Sequence, residues 1–368
     1  MKSGMALGLR GSAKLNLRGR LIGRLQAAKI IGLPEREFAK FIQEIEMDPM
    51  FLKLYLPEKG APRVIRRNPW TRAGLSGSFY AFDENLAAGS SAGVPVESLL
   101  AGKAELVGLI RRIGREAFEK YFLYGEDIRS LEEIAGLTGL SPEEARRIHE
   151  MILEVGVQSL FSEDARAQPA LRFTQIARIE VDEASPERPL FLFNLPYMAR
   201  GRYLINQQVL DELKDRGVFK TREEKKSLRR LIEKINLANL RQSTLFRILE
   251  TVCAAQAKYL ATGKTALKKP LSMRSLAREL CLAPSTISRA AHGRGVKLPW
   301  GQEAPLSALM PARREVIRSI LDEVLPLWPK EKKRSDRRLS KEVQARYGLA
   351  VNRRTLNAVR NAVEEQAP

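Results

Sequence analysis

Apolar residues recur at helical spacing through residues 15–56. Leu21, Ile22, Leu25, Ile30 and Ile31 form one patch, and Phe38, Phe41, Ile42 and Ile45 a second, with charged residues between. The pattern predicts amphipathic helices that stop at Asp48-Pro49, because the residue before a proline is pushed out of the α region. Residues 57–96 lose the period. They hold Pro57, Gly60-Ala61-Pro62, Asn68-Pro69 and Ala88-Gly89-Ser90-Ser91-Ala92-Gly93, a composition that buries too little apolar surface to order itself and predicts a flexible linker. Helical spacing returns from Val96. Leu131 to Ala135 begins a helix that Gly136 weakens, and Ser141-Pro142-Glu143-Glu144 opens the next. There Ser141 suits the N-cap, Pro142 the first helical position, and Glu144 the return half of a capping box. The exposed positions of this pair are acidic, which disfavours DNA and suits a protein partner.

Residues 171–195 are the strand region. Phe173, Ile176, Ile179 and Val181 lead through a turn to Leu190-Phe191-Leu192-Phe193, which predicts a hairpin. Long helices rich in Lys and Arg are expected from about Leu204 to Leu260. Two short helix pairs follow. In the first, Met273 to Cys281 puts Leu276, Ala277 and Leu280 inward, Leu282-Ala283 makes a tight turn, and Pro284 starts the next helix. The second runs from Leu339 through Tyr347, turns at Gly348 and resumes at Asn352. The expected fold is mainly α, a multi-domain helical protein with a small β-hairpin, a helix-turn-helix and a C-terminal three-helix-type DNA-binding domain. Its expected divisions are helices over 1–56, the linker over 57–96, and domains over 97–215, 216–312 and 313–368.

Charge sharpens this picture. The 368 residues carry 63 Lys and Arg against 43 Asp and Glu, a net charge of +20, which points to a polyanion and most often to nucleic acid. Cys253 and Cys281 are the only cysteines, so no disulfide framework is implied and a reducing compartment is expected. No apolar run approaches the ~18 residues that span a membrane. Lys2, Arg10, Lys14, Arg18, Arg20, Arg24 and Lys29 precede the first acid, Glu35, a bias shared with transit peptides. The following residues continue the same helical pattern, so a cytoplasmic protein is expected.

Candidate chemistry is sparse. His149 and His292 are the only histidines, and neither has metal-ligand spacing to a cysteine or the other histidine. Gly263-Lys264-Thr265 could end a phosphate loop, but Lys258 stands where the motif needs a glycine, and a helix, not a strand, precedes it. Glu132-Glu133, Glu143-Glu144 and Glu364-Glu365 read as solvated helix faces. No catalytic constellation, cofactor or metal site is expected. The candidate site residues are nucleic-acid contacts. In the first pair, Ser285, Thr286, Ser288 and Arg289 front the second helix, with His292 and Arg294 near its end. In the second, Asn352 can cap a helix whose first turn carries Arg353, Arg354 and Thr355, with Arg360 two turns on and suited to a phosphate. An arginine fork can bond O6 and N7 of one guanine. Lys330-Glu331-Lys332-Lys333-Arg334, with Arg337 and Arg338, makes a basic segment between the pairs.

These residues also carry a resemblance to a family. The run from Asn352 to Asn361 resembles the signature box of the sigma-54 factors of bacterial RNA polymerase, typically A-R-R-T-V-A-K-Y-R-E. It keeps Arg353, Arg354, Thr355 and Arg360, and has Asn352, Asn357, Ala358, Val359 and Asn361 where the family has Ala, Ala, Lys, Tyr and Glu. Leu276 to Leu280 and Ser285 to Ala290 look like that family's helix-turn-helix, although Leu298-Pro299-Trp300-Gly301 replaces its Thr-Pro-Arg-Gly. Ile232 to Leu245, Gln256, Gly263 and Lys269-Pro270-Leu271 follow its long-helix segment. Leu131 to Ile152 and the hairpin are similar to its polymerase-binding domain, with Val155-Gly156-Val157 at a glycine turn. Residues 5–51 correspond to its regulatory region, with Gln26 and Gln43 the only glutamines of a normally glutamine-rich segment.

The resemblance implies a non-enzymatic initiation factor that binds core RNA polymerase and directs it to a bipartite, −24/−12-type promoter. Opening would depend on an AAA+ activator, the enhancer-binding partner of the family. The alternative is a stand-alone DNA-binding regulator descended from such a factor, which would have no need of the acidic pair at 131–152. A nucleic-acid enzyme would need the nucleophile or metal site that the sequence does not display.

Charge alone generates one expectation. Binding to duplex DNA weakens steeply with salt, by about 10³–10⁵ between roughly 50 and 200 mM if about six to ten phosphates are contacted. Equilibrium titration across a salt series measures the slope, and a flat slope contradicts the charge argument.

Overall fold

Helices dominate, as the apolar period predicts, and the chain is mainly α. The computed structural model describes residues 23, 25–58, 60–76, 104–124, 130–151, 173–182, 185, 187–326 and 335–364. These divide into two compact units, one drawn from residues 1–176 and 192–244, the other from 177–191 and 245–368. Among the described residues no helix is long and apolar enough to cross a membrane.

The first unit opens with helix α1 (25–32), α2 (Glu35–Glu46) and α3 (Pro49–Tyr55). Phe38, Ile42 and Ile45 are buried as their spacing predicts, whereas Leu25 is exposed. Asp48-Pro49 does more than stop a helix. The Asp48 carboxylate accepts from the Met50 N–H at 2.8 Å and Pro49 takes the first helical position, so the same dipeptide starts α3.

The expected linker over 57–96 needs correction. Ile65–Asn68 is a strand, β1, and Ala73–Leu75 another, β2, while residues 77–96 lie outside the described part. β1 is made by a partner far along the chain, which composition does not reveal. Helix α4 (Ala104–Ile113) follows. Helix α5 (Leu131–Thr138) runs through Gly136 and ends at Gly139, whose φ of 67° closes it. The predicted capping box opens α6 (142–151). The Glu144 N–H donates to Ser141 Oγ at 3.1 Å, and the Ser141 N–H donates to the Glu144 carboxylate at 2.7 Å. Residues 153–172, including Val155-Gly156-Val157, lie outside the described part.

The predicted hairpin is present as neighbouring strands β3 (Thr174–Glu180) and β4 (Leu190–Phe193). Strand β5 (Arg202–Ile205) pairs antiparallel with β1, Ile65 opposite Ile205 and Arg67 opposite Tyr203. Leu204 is therefore in a strand, not at the start of a long helix. A Cβ on Gly201 would stand 2.0 Å from the Asn68 carbonyl oxygen, so only glycine permits this approach. Helix α7 (Gln207–Asp215) stops before Gly217, and α8 (Arg222–Ala255) is the long helix proper. The unit division falls inside α8, after Thr244.

Buried charge organises this unit. Glu46 is fully buried and accepts from Arg67, from Arg200 at 3.0 Å and from the Tyr203 hydroxyl at 2.8 Å. Glu35, at the other end of α2, accepts from Arg241 of α8 at 2.5 Å and from the Tyr197 hydroxyl. Arg241 also donates to the carbonyls of Ile30 and Leu33 at 3.1 and 2.7 Å.

The second unit begins with the remainder of α8, followed by a short helix at Ala257–Thr262. Gly263 ends that helix with φ 74°, which accounts for this glycine without a phosphate loop. The buried Gln256 side chain donates to the carbonyls of Lys269 and Leu309 at 2.8 and 3.0 Å, and accepts from the Lys269 N–H at 2.8 Å. It pins two loops. Then come α9 (Met273–Glu279), α10 (Pro284–Ala291) and an antiparallel pair, β6 (Arg294–Lys297) and β7 (Glu303–Pro305).

Three helices complete the unit: α11 (Arg313–Val324), α12 (Asp336–Tyr347) and α13 (Arg353–Glu364). They share one core of Val316, Ile317, Ile320, Leu321, Val324, Leu339, Val343, Val351, Leu356 and Val359. This is the expected three-helix domain.

The Glu46 cluster predicts acid sensitivity. Burial alone would raise the Glu46 pKa, but Arg200 and Arg67 outweigh it and hold the carboxyl at about 2. Burial first, then Arg200, pushes the His149 imidazole down to about 4, with Arg67 and Arg63 adding and Glu46 opposing. Both groups bind fewer protons folded than unfolded, so stability falls as pH falls. The His149 contribution is lost from its ordinary 6.5 toward 4, and that of Glu46 from 4.5 toward 2. His149→Gln should remove the upper limb and spare the lower, as read by urea unfolding at a series of pH values. Glu46→Ala strands two buried guanidiniums and should cost about 3–5 kcal/mol in the same measurement.

Candidate nucleic-acid interface

Helices α9 and α10 meet through a turn made by backbone. Ser272 caps α9 reciprocally with Ser275, Ser275 N–H to Ser272 Oγ being 3.0 Å and Ser272 N–H to Ser275 Oγ 3.1 Å. At the other end Cys281 takes the left-handed conformation, φ 54°, and the Leu282 N–H donates back to the Ala277 carbonyl at 2.8 Å. That is the closing bond of a Schellman turn, with cysteine where glycine is usual. Arg247 of α8 donates to the Leu280 carbonyl at 3.1 Å and holds the turn. Leu276, Ala277 and Leu280 face inward, as the spacing predicts, and Ile287 and Ala290 of α10 are buried as well.

The turn leaves the front of α10 outward. Ser285, Ser288 and Arg289 are exposed and Thr286 is half-buried, and none of the four side chains has a hydrogen-bond or ion-pair partner among the described residues. Ala283 at the N-cap supplies no side-chain acceptor. Pro284 has no N–H and the Thr286 N–H donates to the Ala283 carbonyl at 2.9 Å, so the front offers the Ser285 N–H and the hydroxyls to phosphate and base edges.

Arg294 does not belong to that face. It is 3% exposed, and its guanidinium donates to the carbonyls of Arg289 and Ala290 at 3.0 and 2.6 Å. It closes the C-terminal end of α10, where free carbonyls and the helix dipole attract a cation. The expectation of a DNA contact there is corrected. His292 is exposed at the helix end. Trp300, standing where the family has arginine, is exposed and set edge-on to Tyr259 at 5.2 Å.

Helices α12 and α13 repeat the arrangement by other means. Gly348 ends α12 with φ 67°. Ser340 Oγ donates to the Val351 carbonyl at 3.0 Å, and Arg313 donates to the Ala350 carbonyl, so the turn is held from α12 and α11. Asn352 caps α13 as expected, accepting from the Arg354 N–H at 3.0 Å. Arg353 and Arg354 are exposed and Thr355 half-buried.

Arg360 is again not a free phosphate contact. Its guanidinium donates to Asp336 Oδ1 at 2.6 Å and is 18% exposed. Asp336, in the first turn of α12, also accepts from Asn357 Nδ2 at 3.1 Å. Residues 353, 357 and 360 lie on one face of α13 at helical spacing, so one carboxylate anchors the helix. Sequence reasoning missed Asp336, whose signal was an acid beginning a helix opposite that polar face. Val359, where the family has tyrosine, is buried in the three-helix core.

Arg337 and Arg338 are exposed on α12, while residues 330–334 lie outside the described part. Among the described residues no group of acids, cysteines or histidines could hold a metal.

A family model described as "Sigma-54, DNA binding domain" matches residues 219–366. Among curated proteins, the RNA polymerase sigma-54 factor of Bacillus subtilis (strain 168) is 28% identical over 130 residues, which cover 33% of this chain and 30% of that protein. The RNA polymerase sigma-54 factor of Cereibacter sphaeroides is 30% identical over 164 residues, covering 42% of this chain and 36% of that protein. The chain thus spans about a third of the length of these relatives. Among solved structures, that of Aquifex aeolicus sigmaN bound to promoter DNA aligns over 77% of this chain and 96% of that one, at 18% identity and a TM-score of 0.35.

The two faces generate a paired expectation. Arg354→Ala should cost about 1–3 kcal/mol on a preferred duplex and relax specificity at one position, whereas equal loss on random DNA would make it a phosphate contact. Arg294→Met should lower the melting temperature and leave the salt slope of the folded protein unchanged. Fluorescence anisotropy with both duplexes reads the affinities and the salt slope, and thermal unfolding reads the melting temperature.

Proposed function

We propose, for a chain whose residues 219–366 match the sigma-54 DNA-binding domain model, a role as a DNA-binding transcription initiation factor of the sigma-54 kind. The second unit reads a bipartite promoter, α10 at one element and α13 at the other. The single observation that carries this is the recurrence, in one unit, of a short-turn helix pair whose second helix starts with exposed polar or basic residues. Either helix is narrow enough for the major groove, and the groove is where base pairs are distinguishable. Ser285, Thr286, Ser288 and Arg289 face one element; Asn352, Arg353, Arg354 and Thr355 face the other.

The first unit docks on core RNA polymerase. Glu132, Glu133 and Glu143 on α5 and α6 are exposed beside Arg146 and Arg147, and a face of mixed charge suits a protein partner better than DNA. The chemistry of RNA synthesis belongs to that polymerase, and ATP hydrolysis to an AAA+ activator. One experiment tests the whole reading. Full-length protein is mixed with core RNA polymerase for co-purification, then assayed for transcription in vitro with and without an activator. Stable binding and activator-dependent transcripts are expected. DNA binding without polymerase binding would favour the stand-alone regulator, and loss of both would sink the reading.

A further inference from the structure

Asp336 meets three residues of the recognition helix α13 at one carboxylate. Arg360 takes Oδ1 at 2.6 Å, Asn357 takes Oδ2 at 3.1 Å, and Arg353 Nε stands 3.9 Å from Oδ2. The carboxylate is 9% exposed, and with both oxygens occupied it cannot swing. Arg353 is different in kind from Arg360. Its side chain is 83% exposed, against 18% for Arg360. A pair so long and so exposed adds little to folding. What it can do is bias where the guanidinium points before any ligand arrives.

We propose that Asp336 is a specificity-determining positioning residue, whose fixed carboxylate holds Arg353 so that it reads a base edge rather than any nearby phosphate. This rests on the DNA-reading role of α13 given above. Two effects follow from the geometry. A partly ordered arginine loses less freedom on forming a two-point contact with guanine, which favours the matching sequence. A negative charge beside the first turn of α13 weakens attraction to phosphate in general, which lowers binding to every wrong sequence. Asn357 and Arg360 serve the carboxylate, not the DNA. The exposed Arg354, whose side chain has no partner among the described residues, stays outside this control.

The test uses the full chain and two duplexes: one selected by the wild-type protein from a random-sequence pool, and one of the same composition with its order scrambled. The readout is the ratio of the two dissociation constants. Asp336→Asn should tighten binding to the scrambled duplex and reduce the ratio about tenfold, within what one bidentate arginine–guanine contact discriminates. In an Arg353→Ala background the same substitution should leave the ratio unchanged, because the residue through which it acts is gone. A merely structural role predicts the opposite: an equal effect in both backgrounds, with a lowered melting temperature. That result overturns the proposal, as does a ratio that Asp336→Asn leaves intact. Should Asp336→Asn fail to fold, Asp336→Glu keeps the charge and the Arg360 pair but displaces the point of hold. It should reduce the ratio without tightening scrambled binding, and an unchanged ratio overturns the proposal. A wild-type chain that binds both duplexes alike overturns the DNA-reading role of α13 itself, a failure distinct from discrimination that does not depend on Asp336.

Discussion

The carboxylate of Glu46 is the point from which the first unit is built. It is fully buried, and an isolated ion there would be prohibitively costly to desolvate. The fold meets that cost with Arg67 from β1, Arg200 from just before β5, and the Tyr203 hydroxyl from β5. Those partners are 21, 154 and 157 residues away in sequence, so the acid can be satisfied only when the chain has closed on itself. Such a cluster adds modest net stability but punishes every arrangement that leaves one member alone. Glu35 repeats the device at the other end of α2 with Arg241 and Tyr197. With an acid anchored at each end, α2 belongs to the core of its unit and is not an appended arm.

The second unit depends on a different constraint. Its helix pairs are held by aliphatic cores and by backbone bonds at the turns, so its charged groups are mostly left outside. Arginine shows the contrast. Arg67, Arg200 and Arg241 are spent inside the first unit, Arg294 caps α10, and Arg360 anchors α13. Arg289, Arg353 and Arg354 remain exposed. A net charge of +20 therefore overstates how many cations can meet a polyanion, although its sign points the right way.

The helix pairs were legible in the sequence because their signals are local. The Ser141–Glu144 box, Pro284 at a helix start, Gly348 at a helix end and Asn352 as a cap each act within a few residues of themselves. The hairpin was legible for the same reason. What composition and periodicity missed is non-local. β1 exists because β5 pairs with it, and Leu204 is extended because Arg66 lies opposite. Arginine type and position could not separate a base reader from a carbonyl cap or an ion-pair partner, so the burial of Arg294 and the pairing of Arg360 with Asp336 were not legible. Departure from the family box also has a structural reading. Val359 is a core residue and Asn357 bonds Asp336, so those positions answer to packing and anchoring inside the unit.

On the proposed reading, α10 and α13 differ in what they can offer DNA. Helix α10 begins at Pro284, which has no N–H, and its Thr286 N–H is taken by the Ala283 carbonyl, so its front is mainly the Ser285, Thr286 and Ser288 hydroxyls. Hydroxyls bond phosphate oxygens and several base edges alike, so such a start tolerates many sequences. Helix α13 has likewise given the Arg354 N–H to Asn352. It presents two guanidiniums instead, and a planar fork is the group that separates guanine from other bases. On the proposed reading, sharp discrimination therefore falls mainly to α13, while α10 contributes placement and hydroxyl contacts. That division explains why an acid is tolerable beside Arg353: a helix whose task is discrimination can give up some general attraction to phosphate.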